Sequence, residues 1–322
     1  MKRAIVTGGA GFIGSFLTRY LLSQGVEVII LARTEYLKIQ EGRRALIEGA
    51  RYIQFNMAEI ASLPQTFERE GIKQLDETVF YNLAWWGADR LSDLDVAAQI
   101  RNVAMSLEAF EAADAVGCQR FVHVGSMEEG FSKAYFPLDF RENSEYNRHL
   151  VYATAKLISK DFLKLHSDKC PNVDLLFANN SHVMGPLDDK DSFLQVTLQK
   201  LMNGEELIFS TGEQYFDCIS VYDLARAYYH IGLEGSNGVE YWVGSGEPRR
   251  LRSYVEEMYE LYPSGMPMQF GKMPYNDRSL KPEEFAIDAL LSDTRFRSQN
   301  SYADTVRNLH LFMSEGVVEP LF

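Results

Sequence analysis

Cysteine is scarce: Cys118, Cys170 and Cys218 are the only three in 322 residues, far apart and with no C-x-x-C pair. An odd, scattered set supplies neither a disulfide framework nor the ligand spacing of a zinc site. The three are therefore expected as buried thiols in a reducing compartment, and no metal centre is expected. Positive charge is short as well, since 32 Lys and Arg against 45 Asp and Glu leave a formal net charge of −13. A field of that sign repels polyanions and argues against nucleic acid and anionic membrane as general partners. No apolar run reaches membrane-spanning length, and Met1-Lys2-Arg3 leads straight into a strand candidate with no room for a signal peptide. A cytoplasmic location is the expectation. Repeats, low-complexity tracts and flexible linkers are also missing.

What is present is organised from the first residues. Arg3 to Val6 reads as a short strand, and Phe12, Phe16, Leu17, Leu21 and Leu22 as the apolar face of a helix. Between them lies Thr7-Gly8-Gly9-Ala10-Gly11-Phe12-Ile13-Gly14, and Glu27 to Leu31 follows as a second strand. Glycines spaced G-x-x-G-x-x-G between strand and helix suit a dinucleotide. Gly8 lets the chain turn, Gly11 lets backbone amides approach a pyrophosphate, and Gly14 lets the helix pack close to the strand. The helix N-terminus adds unpaired N–H groups and positive dipole. At the end of the second strand, where an acid would hold the adenosine ribose of NAD, stand Ala32 and Arg33. An arginine there suits a 2'-phosphate, with Arg43 or Arg44 in support. NADP(H) is expected ahead of NAD(H).

Further along, Tyr52 to Phe55 reads as a third strand ending at Asn56-Met57, and Thr78 to Ala84 as a buried central strand. Trp85 and Trp86 follow at the carboxyl edge of the sheet, where open α/β folds bind ligands; one is a candidate to face substrate, and packing on a neighbouring helix is the equal alternative. Asp95 to Val116 reads as an amphipathic helix with Ile100, Val103, Ala104, Leu107, Phe110 and Ala113 inward. A fifth strand, Gln119 to Val124, runs into Ser126, and after a loop Tyr152 and Lys156 open a helix with i, i+4 spacing that puts them on one face.

The T-G-G-x-G-F-I-G stretch, the strand ending in Leu83-Ala84, Asn102-Val103, Ser126 and Tyr152-x-x-x-Lys156 together resemble the extended branch of the short-chain dehydrogenase/reductase superfamily, the NAD(P)-dependent nucleotide-sugar epimerases, dehydratases and reductases. The resemblance covers nearly the whole chain. It implies an α/β fold, a doubly wound parallel (Rossmann) sheet with a smaller C-terminal substrate lobe. Residues 1–180, with a return segment at about 214–244, would form the dinucleotide-binding domain, and 181–213 with 245–322 the lobe. It further implies Ser126, Tyr152 and Lys156 as catalytic residues. Thr7, Gly8, Gly11, Phe12, Ile13, Gly14, Arg33, Asn56, Met57, Leu83, Ala84 and Asn102, with Tyr152 and Lys156, would bind the cofactor. Trp85, Met127, Glu128, Asn180 and His182 would face a nucleotide-diphosphate sugar.

Tyrosine has an intrinsic pKa of about 10 and needs nearby positive charge to act as a base near neutrality. Lys156 and an oxidised nicotinamide would supply it, while Ser126 holds the reacting oxygen. Subclass signals are altered. Dehydratases of the resembled family carry Asp-Glu after the catalytic Ser or Thr, whereas here Met127-Glu128 follows, which disfavours dehydration; Glu128 reads as a substrate contact or, slightly ahead, a solvated acid. Asn179 and His182 replace the family's Arg and Asn, and Phe216 replaces a diphosphate-holding Arg, for which Arg249, Arg250 or Arg278 would compensate. The expected activity is an NADP(H)-dependent 4-ketoreductase or 4-dehydrogenase of a nucleotide sugar. The alternatives are an NAD-dependent 4-epimerase and, more remotely, a non-catalytic dinucleotide sensor or scaffold. The long helices starting near Asp95 and Tyr152 resemble those that pair in family homodimers, so a homodimer is expected.

Overall fold

The computed structural model describes residues 1–73, 75–87, 94–135, 145–189, 192–274, 279–319 and 322. Arg278 lies outside them. Short apolar runs and intervening amphipathic helices alternate as β1 (Arg3–Thr7), α1 (Phe12–Ser23), β2 (Glu27–Ala32), α2 (Glu41–Leu46), β3 (Arg51–Gln54) and α3 (Leu63–Arg69). They continue as β4 (Thr78–Asn82), α4 (Val96–Ala115), β5 (Arg120–Val124), α5 (Glu128–Tyr135), α6 (Glu145–His166) and β6 (Asp174–Asn180). The chain then crosses into a lobe through β7 (His182–Met184), α7 (Phe193–Asn203), β8 (Leu207–Ile208), β9 (Tyr215–Phe216) and β10 (Cys218–Ser220). It returns with α8 (Val221–Glu234) and β11 (Glu240–Val243), continues in the lobe with β12 (Arg249–Arg250), α9 (Leu251–Leu261) and β13 (Met268–Gln269), packs α10 (Asp288–Asp293) back on β11 and α8, and ends in the lobe with α11 (Tyr302–Glu315).

The main sheet has seven strands in the order β11-β6-β5-β4-β1-β2-β3, all parallel. Strand order reverses between β1 and β4, and a doubly wound sheet opens a ligand crevice at the carboxyl ends of such a pair. Because helices cover both faces, the central strands are apolar throughout; every residue of β4 is buried. One face packs Leu17, Leu21, Leu224, Ala227 and Ile231 from α1 and α8, and the other Leu63, Phe67, Ala109, Phe110 and Leu163 from α3, α4 and α6. The segment after Gly212 does not run straight back to this sheet. Its β9 pairs antiparallel with β12 and its β10 parallel with β7, and the sheet is rejoined only at β11.

Two sequence expectations change here. The inner stripe of α4 is rotated from the one expected: Ala98, Asn102, Val103, Ser106, Ala109 and Phe110 are buried, whereas Ile100 is 63% exposed and Ala104 faces outward. Small and polar residues satisfy the close packing of α4 on α6, a packing that apolar periodicity alone could not register. Arg43 does not reach toward a cofactor. Its guanidinium is buried, donates to the Leu187 carbonyl at 3.2 and 2.6 Å, and pairs with Asp189 at 3.0 Å. Leu187 is thereby held at φ 66°, a conformation that costs a side-chain-bearing residue about 1–2 kcal/mol. Cys118, Cys170 and Cys218 are free and buried. Among the described residues no helix is long and apolar enough to cross a membrane.

Candidate active site

The glycine turn sits at the switch point, between the ends of β1 and β4. Gly8 takes φ 70°, and a Cβ there would stand 3.2 Å from the backbone of Ala84. Gly14 packs not on the strand, as its spacing suggested, but on the turn itself: a Cβ would lie 2.3 Å from the Gly8 carbonyl oxygen and 2.7 Å from Gly9 Cα. α1 starts at Gly11 with no side-chain cap, so its first amides are left to an anion, and the cradle fits a pyrophosphate. Thr7 ties the two strand ends together, its hydroxyl accepting from the Leu83 and Ala84 amides at 3.1 Å each and donating to Asn82 Oδ1 at 3.1 Å. Phe12 meets Phe16 edge-on at the start of the helix, and Ile13 and Leu83 pack on the sheet core.

Farther along the crevice, Arg33 makes no ion pair among the described residues and lies 5.8 Å from the Trp86 ring centre, with Arg101 at 5.5 Å from the same ring. Asn102 is spent on that loop: its oxygen accepts from the Trp86 amide at 2.8 Å and its amide donates to the Trp86 carbonyl. Asn56 caps the Ala58 amide at 3.1 Å, and Met57 packs against the core behind it. Both asparagines were expected as direct cofactor contacts. Here they shape the loops that border the crevice.

At the other end of the crevice the Tyr152 phenol and the Ser126 hydroxyl lie near enough for Ser126 to lower the phenol's pKa. Lys156 is buried one turn on; its ammonium donates to the Val124 carbonyl at 2.9 Å and lies 3.9 Å from the centre of the Trp85 ring. Trp85 in turn meets Tyr152 edge-on and donates to Gln99 at 2.8 Å, so Trp85 rather than Trp86 is the indole of the acid–base group. Burial pushes the Tyr152 phenol up, the Ser126 hydroxyl pulls it down, and the Glu129 and Glu128 carboxylates raise it further. The Lys156 ammonium lies 6.0 Å from the phenol ring centre.

Glu128 is not a solvated acid: it is 5% exposed, with one oxygen 3.6 Å from His149 Nδ1. It starts α5 and faces the tyrosine, while Met127 engages the Asn180 carbonyl through its amide at 3.0 Å. Asn180 accepts from the Tyr228 hydroxyl at 3.2 Å. His182 has its pKa pulled down to about 4 by burial and packs against Phe216 with ring centres 5.2 Å apart. The two departures from the resembled pattern are thus one neutral aromatic contact. Arg249 pairs with Glu257 at 2.5 Å and stacks on Tyr254, and Arg250 stacks on Tyr215, so both serve the lobe. Glu129 and Lys160, buried beside the acid–base group, escaped sequence reasoning; the only signal was Lys160 falling one turn beyond Lys156 on the same helix.

A glycine cradle at the switch point and a Ser–Tyr–Lys group at the opposite end of one crevice define a nicotinamide-dinucleotide enzyme of the Rossmann class. Residues 4–244 match the model of the NAD dependent epimerase/dehydratase family, and the chain belongs to that family. It is 26% identical to a probable dTDP-glucose 4,6-dehydratase of Sinorhizobium fredii, over 95% of this chain and 91% of that protein. Its fold is similar to the UDP-glucose 4-epimerase of Thermotoga maritima solved with UDP-glucose, with a TM-score of 0.77, 17% identity and coverage of 98% and 99%. It is also similar to RMD from Pseudomonas aeruginosa solved with NADPH, with a TM-score of 0.71, 18% identity and coverage of 98% and 100%.

Proposed function

We propose that the protein is an NADP(H)-dependent oxidoreductase acting at C4 of a nucleotide-activated sugar, as a 4-ketoreductase or 4-dehydrogenase. The observation that carries this reading is the grouping of Tyr152 with the Ser126 hydroxyl and buried Lys156, packed on Trp85, at the end of the crevice that begins in the glycine cradle. When bound, the nicotinamide supplies hydride-transfer chemistry. Tyr152 exchanges the proton of the C4 oxygen, Ser126 holds that oxygen, and Lys156 contributes positive charge to the pocket. Thr7, Gly8, Gly11, Phe12, Ile13, Gly14, Leu83 and Ala84 border the pyrophosphate and ribose, and Arg33 takes the 2'-phosphate. Trp85, Met127, Glu128, Asn180 and His182 line the sugar side. The curated relative's name supports a nucleotide-sugar substrate, and Met127, which carries no proton, sets this chain apart from a dehydratase.

A second reading, an NAD-dependent 4-epimerase, is favoured by the commitment of Arg43 to Leu187, which leaves Arg33 without that helper. We also assign residues 1–180 and, of the return segment, 221–244 to the dinucleotide domain, with β9 and β10 left in the substrate lobe that most of the remaining chain forms. A homodimer through α4 and α6 follows from Ile100, Phe162 and Leu165, apolar side chains 63%, 48% and 81% exposed on two helices that pack side by side. The test incubates the enzyme with NADP+ or NAD+ and a panel of UDP-, dTDP- and CDP-hexoses, following the near-ultraviolet absorbance of reduced nicotinamide and the sugars by chromatography. Net reduced NADP formed by the wild type and lost in Tyr152→Phe, with cofactor affinity kept, supports the reading. Sugar isomerisation without net reduction selects the epimerase, and full turnover by Tyr152→Phe refutes both.

A further inference from the structure

Ser126 caps α5. The Glu128 amide donates to its hydroxyl at 3.3 Å, the Glu129 amide to its carbonyl at 3.1 Å, and the Ser126 amide to Glu129 Oε1 at 2.9 Å. That is the return bond of a capping box. The carboxylate is nevertheless 3% exposed, far more buried than a helix cap requires. Its other oxygen stands 3.1 Å from Lys160 Nζ, and Lys160 stands 2.8 Å from Glu240, which also holds Lys164. Room for it is made by Gly125, where a Cβ would fall 2.4 Å from Glu129 Oε1 and 1.9 Å from Asn179 Oδ1.

We infer that Glu129, charge-balanced by Lys160, is the positioning residue for Ser126 and the electrostatic counterweight to Lys156 at Tyr152. The inference rests on Ser126 and Tyr152 being the acid–base pair. A buried ion pair is costly to desolvate, and a neutral helix cap would hold the serine without that cost. What the charge adds is a field at the phenol: Glu129 raises the Tyr152 pKa. The same carboxylate, with Glu240, keeps Lys160 protonated against its burial. Among the described residues the charged and titratable groups around the pair are Glu128 and Glu129 on α5, His149, Lys156, Lys160 and Lys164 on α6, His123 on β5, Tyr228 on α8 and Glu240 on β11. His123 is held neutral by burial and by Lys156 and Lys160, so the balance at Tyr152 is set by the lysines and carboxylates.

Glutamine in place of Glu129 keeps the capping box and removes the charge. Glu129→Gln is therefore expected to move the limb of the kcat profile that reports Tyr152 deprotonation toward acid pH. Lys160→Met, which leaves the carboxylate unbalanced, is expected to move it toward alkaline pH, and Lys160→Arg to restore it. A limb displaced by one pH unit changes the phenolate fraction below its pKa about tenfold. A Glu129 that only caps α5 predicts no displacement in Glu129→Gln, and a general loss of structure predicts lower rates without opposite displacements. An arm independent of substrate reads the Ser126 amide by hydrogen exchange in the ligand-free protein, where Glu129→Ala should speed exchange on the order of tenfold or more while NADPH affinity stays within about twofold. Unchanged exchange, or limbs that move in the same direction in Glu129→Gln and Lys160→Met, would overturn the inference. If the nucleotide-sugar panel fails while exchange responds as expected, the positioning role stands and the substrate reading falls.

Discussion

Gly14→Ala separates two physical effects of opposite sign. Gly14 lies in the first turn of α1, and helix propensity alone predicts a gain of up to about 1 kcal/mol from alanine. The surroundings predict the reverse. The new methyl carbon would stand 2.3 Å from the Gly8 oxygen, 2.7 Å from Gly9 Cα and 2.9 Å from the Gly8 carbonyl carbon. Carbon contacts settle near ~3.5 Å, so helix and turn must part by ~1 Å. All three obstacles are backbone, and the Gly8 carbonyl also accepts the Gly11 amide at 2.9 Å in the bond that closes the turn. Overpacking costs about 1–3 kcal/mol and a weakened buried hydrogen bond about 1 more, which exceeds the propensity gain and leaves a net loss of about 2 kcal/mol. The displaced amides face the pyrophosphate, so dinucleotide affinity should fall at least about tenfold. Thermal melting and titration of NADPH by tryptophan fluorescence check both quantities. Gly130→Ala on α5, whose methyl would make ordinary contacts with the side chains of Leu280 at 3.4 Å and Trp242 at 3.7 Å, is the control expected to melt within roughly a degree or two of the wild type. A Gly14→Ala protein as stable as the wild type with undiminished affinity would refute the steric reasoning.

Three further expectations rest on single side chains. His182 has a folded pKa near 4 against an ordinary 6.5, so the unfolded chain takes up the proton first and stability drains away as pH falls through that window; His182→Asn should show a smaller drop in melting temperature between pH 7 and pH 5. Arg33→Ala should weaken NADPH about tenfold or more and NADH hardly at all, as for a lost charge-assisted bond, and equal effects on both in calorimetric titration would remove Arg33 from the 2'-phosphate. Phe162→Glu should abolish the proposed α4–α6 dimer in light scattering, since a carboxylate on that face cannot be buried unpaired.

The sheet and its cofactor end were legible because their signals are local: a glycine spacing between a strand and a helix, and strands of unbroken apolar residues. That Ser126, Tyr152 and Lys156 come together was legible by the same route, since a strand end and one helical turn carry them. What failed was long-range. Arg43 resembles a phosphate ligand in sequence and is drawn off by a carbonyl on the far loop at Leu187. Ile100 has the period of a core residue, but the small residues beside it turn α4 so that it faces outward. Glu128 reads in sequence as a substrate contact or a solvated acid and Glu129 carries no signal at all, because nothing in the sequence announces that His149 will be folded over the first and Lys160, with Glu240, over the second.

The Arg43 strap grips a main-chain oxygen, a group every residue type carries. The bond to residue 187 therefore does not depend on the side chain carried there, whereas the pair with Asp189 needs its carboxylate and a change at position 43 loses both. A descendant of this protein could change the residue type at 187 and keep the tie between α2 and the loop after β7, while loss of the arginine would release that loop.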